Sequence, residues 1–498
     1  MTATDNSHPD RAARRRGGRS RTLAALAGFA IVVAGCGSSA ASASGAPSTS
    51  SAATAAASAA ASTAPGVPGG APGGQPGGNA QGGSGGSTSG GNSTSSSATG
   101  ATTITGTNQT SDGKTYAGTA ADQSAVLVTK SGSFTATNAT ITKTGDTTSS
   151  DESSFYGLNA GVLAQDGSSV TLSNSTITTN ASGANGAFAT GTGSSVTLTS
   201  VTISATGDGA HAVMATQGAT VTCTNVNMNT TNAHSGAVAT DRGGGTIDVT
   251  GGIVTTSGQD SPGIYSTGAI TVSGATVTAT GAEAAVIEGG NTITLSNVKL
   301  SSTFAGKWGV MIYQSMSGDA SGTKGAFTMT GGSLAYSGSG GPLFYVTNST
   351  GVITLKGVDV TVASGVLVKA AAGNWGTTGS NGGNVVLTAD GQTLSGDMTA
   401  DSISTITLAL ENGSTWTGAM DSARTAKSIE VTLDSTSSWT LTGDSYVTTL
   451  AGAAISGGSV TNIHGNGHTL YYDAGNSANR ALGGRTYTLA DGGYLKPA

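Results

Sequence analysis

The chain has 498 residues, 81 of them Gly, with 9% charged and 4% aromatic residues, so it lacks the bulky side chains that fill a wide globular core and suits a long, thin, repetitive one. Of its 20 basic and 26 acidic residues, six arginines together with Asp5 and Asp10 fall in an N-terminal leader, leaving 14 against 24 and a net charge of −10. That balance excludes the basic footprint of a nucleic-acid binder, and two cysteines, Cys36 and Cys223, exclude a disulfide framework.

Residues 1–35 read as an export signal. Arg11 to Arg21 form a basic region, and Thr22 to Gly35 an apolar stretch of 14 residues, long enough for a signal core and short for a membrane span. The stretch ends in Val33-Ala34-Gly35-Cys36, which resembles the lipobox of bacterial lipoproteins. The resemblance implies cleavage before Cys36 and acylation of its thiol, so that the mature chain is held to the membrane by lipid, facing outward in the cell envelope. Acyl chains contribute about 0.8 kcal/mol per buried methylene, and several chains anchor firmly where one does not. The Arg14-Arg15 pair leaves the export route, Sec or twin-arginine, open.

Residues 36–110 read as a tether. From Gly37 to about Gly100 the text is almost wholly Ser, Ala, Gly, Thr and Pro, which buries too little apolar area to offset its ordering entropy. Its Gly-x-Ser-x-Gly string at Gly82 to Gly86 lacks the strand and helix that a hydrolase nucleophile elbow requires.

Residues 111–385 repeat. Gly161-Val162-Leu163-Ala164, Gly186-Ala187-Phe188-Ala189, His211-Ala212-Val213-Met214 and Gly236-Ala237-Val238-Ala239 begin at successive steps of 25 residues. Each is followed by an alternation such as Val196-Thr197-Leu198-Thr199 or Ile247-Asp248-Val249-Thr250, and most by a third, such as Val201-Thr202-Ile203. Period-two alternation marks strands buried on one face, and three short strands per repeat, with Gly, Asn, Asp and Ser at the corners, predict an all-β parallel β-helix with no helical period. Cys223 falls on the apolar position held by Leu198 and Val249 in adjacent copies, and reads as a buried small hydrophobe. Residues 386–498 read as narrower coils and a cap, with Tyr471, Tyr472, Tyr487, Tyr494 and Leu495 closing the end.

These repeats resemble pectin-lyase-like right-handed β-helices, especially adhesin-like and autotransporter-passenger proteins. Gly413-Ser414-Thr415-Trp416-Thr417-Gly418 and Ser438-Trp439-Thr440-Leu441-Thr442-Gly443 are similar to the last coils of such passengers. The resemblance implies a right-handed solenoid at the cell surface and leaves two functions open: a monomeric adhesin-like binder of glycan or another surface, and a polysaccharide lyase or glycoside hydrolase.

For the enzyme, a glycosidase needs two carboxyl groups on one cleft. The candidates are Asp241, Arg242, Asp260, Glu283, Glu288 and Lys307, with Tyr265 and Tyr313 near them in the repeat register. A surface ion-pair ladder is the competing explanation and the preferred one. For the binder, inserts at Gln314 to Gly325 and Ala370 to Asn384 lengthen two coils at one corner, and Tyr313 with Trp375 offers aromatic faces to a sugar ring. The outward files Thr171, Thr197, Thr222, Asp248, Thr271 and Ser173, Thr199, Thr224, Thr250, Ser273 form a hydroxyl grid similar to that of ice-binding solenoids, interrupted at Asp248 and later at Lys356. His464 and His468 flank a Gly465-Asn466-Gly467 turn, which argues against a helical metal pair. The sequence calls for no cofactor and no metal.

Lipidation predicts a mass increment on the mature chain that is lost in Cys36→Ala, read by mass spectrometry of the membrane fraction. An unshifted, freely secreted parent chain would refute the anchor.

Overall fold

A computed structural model describes residues 97–498; the leader, Cys36, the Gly82 to Gly86 string and the rest of the tether to residue 96 lie outside the described residues. The described chain is a parallel β-solenoid. A first file of 12 strands runs from Thr99–Thr105 to Asp397–Ala400, and a 22-stranded sheet holds the second and third strands of the coils.

Stacking in register is what the repeat text dictates. Val196 and Leu198 lie over Val170 and Leu172 below, and beside Val221 and Cys223 above. Each backbone donor and acceptor along a strand is satisfied by the next coil, so identical positions form continuous columns. Cys223 sits in such a column, 1% exposed, and burial pushes its thiol up to about 12.

The corner between the second and third strands is made by a left-handed residue in each of these coils. Asn138, Asn174, Ser200, Asn225, Gly251, Gly274, Asn297, Gly331 and Gly357 all have φ between 51° and 67°, and Gly252 and Gly332 add a second left-handed residue at two of them. Gly and Asn reach this region at least cost, which explains why they recur there. Where the corner is tight, the two strands join without a break, as in Thr292–Ser302 and Lys324–Tyr336.

Three expectations are corrected. The solenoid begins at Thr99–Thr105 and Asn108–Asp112, before the end expected for the tether at residue 110; in the first of these strands only Ile104 is fully buried, so its Thr-rich text passes for tether. A helix, Ser150–Tyr156, interrupts the β pattern. It is too short for a helical period, but Ser149 caps it by accepting from the Glu152 backbone N–H, and Gly157 ends it at φ 73°. At the far end Tyr472 and Leu495 are buried, whereas Tyr494 is exposed and Tyr471 stacks outside on Tyr446 at 4.8 Å. The end is closed by antiparallel pairing of Tyr487–Ala490 with Tyr494–Pro497, which stops the parallel ladder.

In the C-terminal coils Trp416 and Trp439 stack inside the solenoid, ring centroids 4.7 Å apart. Their indole N–H groups donate to the carbonyls of Gly396 and Gly418, each at 2.9 Å, as a buried indole requires. Trp439→Ala is expected to cost about 3–5 kcal/mol, read as a lower urea midpoint for the β-sheet signal; an unchanged midpoint would contradict the packing.

Candidate functional site

The outer face of the first file differs from the rest of the exterior. Leu163, Phe188, Met214, Ala239, Tyr265, Val286, Met311 and Tyr345 stack in register along it, and all are buried. The cover comes from segments outside the repeat. Thr216 Oγ1 donates to the Phe155 carbonyl at 2.8 Å, tying the short helix down, and Trp308 stacks on Tyr345 at 4.2 Å. Between the helix and the insert at Gln314 to Gly325 lies a cavity of about 250 Å³, whose walls include Phe155, His211, Met214, Asp241, Arg242 and Tyr265.

The sequence candidates separate into two groups. At the trailing end of the first-file strands, Asp241 follows Val238–Thr240 and Glu288 ends Ala285–Glu288, two coils further on. Glu288 is 2% exposed, and three hydroxyls donate to it: Tyr265 and Ser315, and Tyr313 at 2.8 Å. Burial, and then the charges around them, push both phenols well above the usual tyrosine range. Asp241 accepts the Arg242 backbone N–H at 2.7 Å. Burial, followed by the nearby charge of Asp319, raises its carboxyl well above the usual range, which favours the protonated form, a donor, in the cavity wall.

At the leading corner, Asp260, Glu283 and Lys307 occupy three successive coils. Lys307 Nζ donates to Asp260 Oδ1 and lies 3.8 Å from Glu283 Oε2. The expectation of a surface ion-pair ladder is therefore corrected. The lysine and both carboxylates are buried, and Arg242 pairs with neither Asp241 nor Glu288. Its Nε and Nη2 instead donate to Asp319 of the insert, at 3.1 and 2.8 Å, while its guanidinium lies 3.8 Å over the Phe155 ring. That half-exposed pair contributes at most about 1 kcal/mol; its effect is to hold insert and helix together across the cavity.

The aromatic platform is corrected too. Tyr313 is 1% exposed and Trp375 lies against it, ring centroids 4.9 Å apart. The two rings bury each other's apolar faces, so Tyr313 presents none to solvent. The hydroxyl files are in register as expected, Thr197 beside Thr222 and Thr222 beside Asp248. His464 and His468 reach different aspartates, Asp491 at 2.7 Å and Asp444 at 3.9 Å, and no group of His, Cys, Asp and Glu among the described residues is arranged to hold a metal.

Sequence reading missed Phe155, Asp208, His211, His234 and Asp319. The capping pattern at Ser149 to Glu152 was the available signal for the helix, and the extra coil length the signal for Asp319. His211 is 6% exposed, and its Nδ1 lies 2.8 Å from the Gly236 carbonyl. That nitrogen must donate, which leaves Nε2 as an acceptor. No family model matches the chain, and no curated protein matches it.

Burial lowers His211 from 6.5 to about 4, against the hydrogen bond to Gly236 and with a smaller push from His234. The unfolded chain therefore takes up this proton first, and stability present above pH 6.5 is lost as the pH falls toward 4. Comparing urea midpoints of the parent and His211→Gln across that window should show a flatter acid limb for the variant, with a difference of up to about 1.4 kcal/mol per pH unit. Parallel curves would show that the imidazole does not titrate as its burial requires.

Proposed function

We propose that the protein is an adhesin-like, lipid-anchored envelope protein that binds a glycan in the cavity beneath the Ser150–Tyr156 helix. One observation carries this reading: carboxyl, imidazole and aromatic groups converge on a cavity that the solenoid does not need for its own stability. At the corresponding register the scaffold accepts Thr190 and Thr216 in adjacent coils, and Thr347 beside Tyr313. Burying Asp241 instead costs desolvation, and a ligand that hydrogen-bonds the cavity wall compensates part of that cost.

The charge of the walls narrows the ligand. Asp151, Asp208, Asp241, Asp260 and Asp319 border the cavity, and Arg242, the one Lys or Arg among its lining residues, is already paired with Asp319. Neutral or amino-bearing sugars fit this field, and uronic acids oppose it. Phe155 and Tyr265 supply apolar ring surface of the kind that sugar sites use.

A second reading, glycoside hydrolysis, is favoured by the raised carboxyl of Asp241 near the charge of Asp319, which has the form of an acid and a carboxylate partner. Both readings rest on the same cavity and are separated by one experiment. A glycan array probed with the full chain, read beside an assay for new reducing ends, should show retention of neutral or amino sugars without cleavage, and at least about tenfold weaker retention for Phe155→Ala. Cleavage by the parent that is lost in Asp241→Asn, with binding kept, would establish the hydrolase instead. Retention of no glycan at all would overturn both.

A further inference from the structure

The Asp260, Glu283 and Lys307 cluster lies at the leading corner of the first file, with Asp260 alone of the three bordering the proposed binding cavity, and its chemistry is unusual. Asp260 is 6%, Glu283 0% and Lys307 7% exposed. The three side chains come from consecutive coils, anchored by the register of Ile264 with Ala285 and of Ala285 with Val310. The lysine ammonium touches the Asp260 carboxylate, and neither oxygen of Glu283 has a hydrogen-bond partner among the described residues. A buried acid with no hydrogen bond to either oxygen, and with Lys307 at 3.8 Å as a charge partner, is a poor structural element, but it stands beside the lysine whose protons must move.

We propose that Lys307 and Asp260 are joined by an intramolecular amide bond, formed within the folded chain with Glu283 as the proton carrier. The Lys307 ammonium first passes one proton to Asp260 Oδ1, which it touches, and the neutral amine then attacks Cγ of the neutral acid. The Nζ–Cγ bond forms, the Cγ–Oδ1 bond breaks, and two protons of the ammonium leave with Oδ1 as water. Glu283 gives its proton to the departing oxygen, takes one from the nitrogen, and ends as it began. No oxidant, metal or activated co-reactant is needed, because an ammonium and a carboxylate contain all the atoms of an amide and a water.

Three features of the site favour the step. Burial raises the Glu283 carboxyl above its ordinary value despite the opposing pull of Lys307, which favours the protonated form that the relay uses. The Gln259 Nε2 donates to Asp260 Oδ2 at 3.2 Å, polarising the carbonyl under attack, and the same bond persists to the amide oxygen in the product. Asp260 also borders the cavity, which gives the water a way out. Holding the reacting groups in contact replaces a bimolecular encounter, and the product removes two charges that are costly to keep in a dry interior. The bond would staple two coils that lie either side of the Glu283 coil.

A tryptic digest of the full chain tests this by mass spectrometry. The expected result is that residues 243–299 and residues 300–324 appear as one linked species, lighter than their sum by one water, because acylated Lys307 resists cleavage. Glu283→Gln and Lys307→Arg should lose that species while keeping the β-sheet spectrum. A parent that releases residues 300–307 and 308–324 as free peptides overturns the proposal, whatever the variants do, and a Glu283→Gln chain linked as fully as the parent overturns the role of Glu283.

Discussion

Registered stacking of one coil on the next governs everything else in this protein. Each first-, second- and third-file strand satisfies its backbone hydrogen bonds with the equivalent strand of the neighbouring coil, so a residue's position within its repeat fixes its vertical neighbours. Apolar columns such as Leu198, Cys223 and Val249 follow, and so do the threonine files outside. The same constraint makes a polar substitution in one coil face whatever stands at that register above and below it. This is how Glu288 comes to lie beside Tyr313, and how residues 23 and 24 positions apart in sequence assemble the cluster around Glu283.

The exterior is not uniform, and the difference lies in what interrupts the repeat. The second file is a half-exposed wall of Thr and Ser, with the β propensity expected of a solvated strand. From Val162–Ala164 to Phe344–Thr347 the first file is buried on both faces, covered by the Ser150–Tyr156 helix, by Trp308 and by the two corner inserts. Segments that break a solenoid's period are free of the stacking rule, so they can carry groups such as Phe155 and Asp319 to positions that no repeat residue reaches. The Arg242 and Asp319 pair, with the guanidinium resting on Phe155, joins all three layers at the cavity rim.

Burial also changes what the charged residues are. On the surface, Asp241, Arg242, Glu283, Glu288 and Lys307 would form a ladder of weak ion pairs. Inside, burial raises the Asp241 carboxyl, Glu288 takes three hydroxyl donors, and Lys307 neutralises one acid while standing near another. The covered outer face of the first file has little dielectric relief to offer such groups, which is why their partners are assembled from several coils.

The amino-acid sequence by itself determined the solenoid, its coil length, its columns and the Asn and Gly corners, because period-two alternation and left-handed turn residues act locally and repeat many times. It also located the candidate acids and the two inserts. It left undecided which face is covered, that the helix forms a lid, that Arg242 chooses Asp319, and that Tyr313 hides its ring under Trp375. Those outcomes depend on where non-repeating segments land across several coils, and that is settled by packing in three dimensions.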